Sequence, residues 1–128
     1  VAAILVRGDF SEAWVLDELL HDVEMDLDSV VLHGDKVMFR GVAHRPVRGF
    51  GKSGAFEVSV LIRGGRDVAV EDDEEIGVLT IRAVAFDPER EVLLFEGAIP
   101  GRVLVHAAKV DVHVEIADEP SRVARFGR

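Results

Sequence analysis

The sequence predicts a mainly β protein, an antiparallel β-sandwich or barrel with one N-terminal α-helix packed on it. Apolar residues fall at every second position through most of the chain after Val23, the rhythm of strands with one face buried. These runs are short and separated by Gly, Pro and Asp turn signals, as in sandwiches and barrels. Only one stretch, about residues 10–21, carries helical spacing. The 128 residues fit a single β-rich domain, 1–128, long enough to bury about two-thirds of its unfolded surface.

The opening VAAILVRGDF is apolar but too short to span a bilayer, and it lacks the basic start and small-residue cleavage site of a secretory signal. Asp9 and Glu12 have capping-box spacing, which places a helix start there. Phe10, Ala13, Trp14, Leu16, Leu19 and Leu20 then form an apolar stripe, with Trp14 as the expected anchor, and the helix ends near His21-Asp22.

From Val23 the period drops to two. Val23, Met25 and Leu27 alternate with Glu24, Asp26 and Asp28. HGDK (33–36) is a turn between VVL (30–32) and VMFRGVA (37–43). Phe56, Val58, Val60 and Ile62 form the next set, closed by Gly64-Gly65. VAV (68–70), IGVLTIRAVAF (76–86), EVLLF (91–95), RVLVHA (102–107) and KVDVHVEIA (109–117) follow, so strands run from about 23 to 117 and a basic tail spans 118–128. VLTI and VLLF are apolar on both faces and belong in central positions, with one side under the helix. Val103, Val105 and Ala107 are odd-numbered, whereas Val110, Val112, Val114 and Ile116 are even. A bulge or tight turn is therefore expected near 107–109, because a regular strand would turn one apolar set outward.

Composition narrows function. The net charge of −9 disfavours bulk binding to nucleic acid or anionic membranes and suits a basic partner. The absence of cysteine removes disulfides, thiolate metal sites and cysteine nucleophiles, and fits a reducing, cytoplasmic setting. No serine sits in a G-x-S-x-G elbow. Gly51-Lys52-Ser53 is not a phosphate loop: Pro46 stands where that motif needs glycine, and a strand rather than a helix follows. The acidic run 71–75 lacks the alternating ligands and turn glycine of a calcium loop and reads as a solvated loop. His33, His44 and His106 are scattered without metal-motif spacing. No catalytic set, cofactor or metal is expected.

Two constellations remain. From Lys36 to Phe56 there is no acidic residue, whereas Lys36, Arg40, Arg45, Arg48 and Lys52 are basic, and within it RPVRGFGKSG (45–54), with glycines on both sides of Phe50, reads as a long mobile loop. It is either a surface or oligomer contact or a loop gripping an anionic partner, with Phe50 as the apolar contact. Arg122, Arg125, Phe126 and Arg128 repeat the combination in a tail expected to fray. The alternative polar site joins His21 and Asp22, at the helix end, with Asp111, His113 and Glu115, which share one strand face. Helix capping and a solvated sheet face explain these residues structurally. An acid/base or metal-dependent small-ligand site needs the fold to bring them together.

Trp14 followed by LLHDVEMDLDSVVLHGDKVMF (19–39) resembles the opening of small, mostly uncharacterised bacterial β-rich domains with a Trp-bearing helix, a Leu-His-Asp element and a hairpin, some of which resemble immunity-type proteins that bind and block a toxin. The resemblance covers about the first third of the chain and implies a binding module; it carries no catalytic residue across. The expectation is a non-enzymatic domain acting on an unknown protein partner or on a second copy of itself.

Overall fold

The computed structural model describes residues 2–8, 13–47, 52–107 and 110–125, with 2–8, 110 and 122–125 as backbone only. Among them the chain forms β1 (Ala2–Gly8), α1 (Ala13–Leu20), β2 (Glu24–Asp26), β3 (Val31–His33), β4 (Lys36–Pro46), β5 (Lys52–Arg63), β6 (Asp67–Glu71), β7 (Val78–Asp87), β8 (Val92–Gly97), β9 (Arg102–His106), β10 (Val110–Ile116) and β11 (Arg122–Arg125). Strand order is β1-β10-β5-β4-β2-β7-β8-β9-β6, with β3 beside β4 and β11 beside β5. Every pairing is antiparallel. No helix among the described residues is long and apolar enough to cross a membrane.

Period-two alternation sends one apolar set from each half of the sheet into a shared core. Val37 and Phe39 of β4, Val60 and Ile62 of β5, Leu93 and Phe95 of β8, and Val112 and Val114 of β10 are all buried there. Phe39 and Phe95 meet edge to face, centroids 5.3 Å apart at 78°, the arrangement the ring quadrupoles favour. At the β3–β4 turn Gly34 takes φ 65°, a conformation that glycine adopts without a Cβ penalty.

The helix does the work of a missing strand. β2 pairs with β7 only at Val78–Thr80, so the rest of that β7 edge needs other partners. The turn after α1 supplies the first: Asp22 N donates to Ile81 O at 2.8 Å and Ile81 N to Val23 O at 2.9 Å. Past the register shift between Ile81 and Ala83, the Asp17 carboxylate accepts from Val84 N at 2.7 Å. His21 Nδ1 donates to the Arg82 carbonyl at 3.0 Å. Asp22 itself stands at φ 65°, the left-handed conformation that ends many helices.

These contacts set the rotation of α1 and correct one expectation. Asp17 must face β7, so Leu16 and Leu20 enter the core with no exposed surface, while Trp14 is 61% exposed. The anchor is the pair of leucines rather than the tryptophan. Residues 9–12, where the capping box was expected, lie outside the described residues.

Two strands lie beyond the expected 23–117. β1 pairs with β10 and β11 with β5, so the segment 122–125 is laddered rather than frayed. AAILV has no alternation to mark it as a strand, and RVAR is too short for a period. The expected loop is also smaller. The β4–β5 ladder runs from Lys36 opposite Arg63 to Pro46 opposite Ser53, so much of 45–54 is strand; 48–51 lie outside the described residues. The phase change at 107–109 holds in its effect: Val103, Val105, Ala107, Val112, Val114 and Ile116 are all buried. Its cause is a transfer between sheet halves, since β9 lies between β8 and β6 and β10 between β1 and β5; residues 108–109 lie outside the described residues.

Candidate functional site

The face of β10, β5, β4 and β2 turned away from the core forms an open groove of about 610 Å³. Its floor includes Gly41, Val42, Val58, Val78 and Ala117. Glu24, Asp26, Glu57 and Glu115 line it together with Arg40 and Ser59. Cross-strand register explains the gathering. Glu115 stands opposite Ser59, and Ser59 opposite Arg40. Glu57 stands opposite Val42, and Val42 opposite Glu24. Each acid occupies the outward phase of its own strand, and the ladder converts four separate alternations into one acidic surface with a single guanidinium among four carboxylates.

Beneath the floor, β4 carries glycine at 41, which lets β2 close against it. A Cβ there would stand 2.5 Å from the Glu24 carbonyl oxygen and 3.1 Å from Val23 Cγ1, so any larger residue would push β2 from β4. Beside this position Ser29 spans the break in the ladder: its hydroxyl donates to the Asp26 carbonyl at 2.6 Å and accepts from Arg40 N at 2.8 Å. The Asp26 carboxylate accepts from Asp28 N at 3.0 Å, which holds the short turn below the groove.

Two histidines stand at the rim. His44 Nε2 lies 3.5 Å from Glu24 Oε1, and His113 Nε2 donates to Glu115 Oε1 at 3.1 Å. Next to the groove, on the same outer face, runs an apolar row: Val31 opposite Met38, and Met38 opposite Leu61. Val31 is 46% and Met38 38% exposed.

The alternative polar site is not brought together by polar contacts among the described residues. His21 bonds Arg82 and stands 3.7 Å from Asp22 Oδ1, at the helix-covered flank of β7. Asp111, His113 and Glu115 lie on β10, with β5, β4 and β2 between them and β7 in the sheet. Glu115 joins the groove, while Asp111 stands opposite Arg63. No three His, Asp or Glu residues among those described are placed to hold a metal ion. The 71–75 run is partly structural. Asp72 accepts from Ile76 N at 3.1 Å and Gly77 N at 2.8 Å, and Glu71 pairs with Arg102, whose guanidinium is held charged beyond its ordinary range by that hydrogen bond and charge.

The basic set divides. Arg40 enters the acidic groove, whereas Arg45 has the phase of the core-facing residues of β4 and is exposed where the ribbon extends past the core. Lys52 shares that phase across the hairpin, through the pairing of Arg45 with Gly54. Arg48 and Phe50 lie outside the described residues. The groove acids Glu24, Asp26 and Glu57 escape sequence reasoning; each shows as an outward strand position, but which strands are neighbours is written nowhere in the local pattern.

Comparison of the chain with protein-family models, with curated proteins and with solved structures finds no match.

Proposed function

We propose that this chain is a non-enzymatic binding module acting through protein–protein contact, and that its groove receives an extended cationic segment. One observation carries the reading: an apolar floor lined by four carboxylates against one arginine, continued by the exposed row Val31–Met38. An apolar floor alone would take any greasy ligand. Carboxylates around it favour lysine or arginine side chains, whose aliphatic stems cover the floor while their charged heads meet the acids. A partly apolar sheet face that no other described residue covers is the kind of surface that marks an interaction site. The net charge of −9 steers cationic partners in the same sense. The setting belongs to the proposal too: a soluble cytoplasmic protein, in keeping with the charge and the absence of cysteine.

The test is titration of a fluorescein-labelled octapeptide of alternating arginine and leucine, with the glutamate–leucine octapeptide as control. Saturable binding of the cationic peptide alone, weakened at least tenfold by Glu57→Lys with Glu115→Lys, is expected. Equal affinity for both peptides, or binding unchanged in the double variant, would remove the groove from the account.

A further inference from the structure

We infer that the cationic segment this groove takes is carried by a second copy of the same chain, at the end of its β4–β5 ribbon. The inference rests on the groove being a receptor for cationic segments. It adds the identity of the occupant.

Register gathers basic residues at that ribbon end. Gly54 of β5 stands between Arg45 of β4 and Val123 of β11, and Lys52 stands opposite Arg125. Position 122 lies opposite Ala55, so Arg45, Lys52, Arg122 and Arg125 occupy one short stretch of three adjacent strands. The segments 45–55 and 120–125 contain no acid, and Asp118 and Glu119 stand just before the second of them, in the turn that leads into β11. In a chain of net charge −9 this end is the charge complement of the groove.

A molecule cannot use its own ribbon end for this purpose. The β4–β5 ladder is continuous from the groove to Pro46 opposite Ser53, and a strand rises about 3.3 Å per residue. Arg45 therefore sits roughly 17 Å along the ribbon from Arg40, and it has the opposite phase. The rigid ladder holds donor and receptor apart within one chain and leaves both open to another. A two-fold arrangement in which each copy's ribbon end reaches the other's groove would close as a dimer.

Light scattering coupled to size exclusion, at 50 and 500 mM salt, tests this with two charge-reversed chains. Arg45→Glu with Lys52→Glu inverts the ribbon end; Glu57→Lys with Glu115→Lys inverts the groove. The unaltered chain is expected as a dimer at low salt, with dissociation at least tenfold easier at high salt. Each reversed chain alone is expected as a monomer with an unchanged circular-dichroism spectrum. Mixed, the two should restore a one-to-one dimer, an outcome that misfolding cannot imitate. A monomer that still binds the arginine–leucine peptide would overturn the second-copy inference and leave the groove reading standing. A monomer that binds no cationic peptide would defeat both. A dimer indifferent to salt and to both reversals would place the contact on another face and defeat the inference.

Discussion

The β7 flank and the β4–β5 face carry the same kinds of side chain, histidine beside carboxylate, with different consequences. Along β7 the polar groups of α1 and of the turn after it are spent on backbone: Asp17 on Val84, His21 on Arg82, the Asp22 amide on Ile81. Across β10, β5, β4 and β2, among the described residues, His113 pairs with Glu115 and His44 with Glu24. A polar group consumed by backbone is part of the scaffold. One left over on a finished sheet is available to a visitor.

Substitutions break or sharpen that contrast. Leu16→Ala removes a side chain with no exposed surface and should cost about 3 kcal/mol through lost burial and the cavity left behind, read from urea midpoints. Gly41→Ala drives a Cβ toward the Glu24 carbonyl and should cost about 1–3 kcal/mol; since the clash is with backbone under the groove, peptide binding should fall with it. Asp17→Ala strands the Val84 amide at about 1–3 kcal/mol, whereas Asp17→Asn, which keeps an acceptor, should recover most of the loss in the same urea melts. At φ 65°, Asp22→Gly should be neutral or stabilising by up to about 1 kcal/mol; a large loss in thermal melting would show that its carboxylate has a role beyond ending the helix. Smallest of all, Glu57→Ala at an exposed position should stay within about 0.5 kcal/mol while weakening the cationic peptide. Stability then follows the β7 flank and affinity follows the groove.

Much of the fold was legible because alternation is a local property. Val58, Val60 and Ile62 declare their strand and its inner face without reference to the rest of the chain, and HGDK declares its turn. Trp14 was misread because a helical stripe defines a broad face, and a single carboxylate, Asp17, chooses the rotation within it through a contact 67 residues away. The groove was illegible for a related reason. Glu57 and Glu24 become neighbours only through the order of β5, β4 and β2, and that order depends on pairings between distant segments. The basic run from Lys36 to Lys52 read as one patch because charge along a chain ignores strand phase; the alternation that makes the sheet divides Arg40 from Arg45.

The pairing of Ala2 with Ile116 has a consequence for how the molecule comes into being. A ribosome adding about 5–20 residues per second needs roughly 5–20 s to deliver the partner of a strand it has already made. Throughout that interval AAILV has no proper neighbour, and an unsatisfied apolar edge is where nascent chains go astray. Growth conditions that slow translation should lower the yield of native protein more than they would for a chain whose strands meet in order of synthesis.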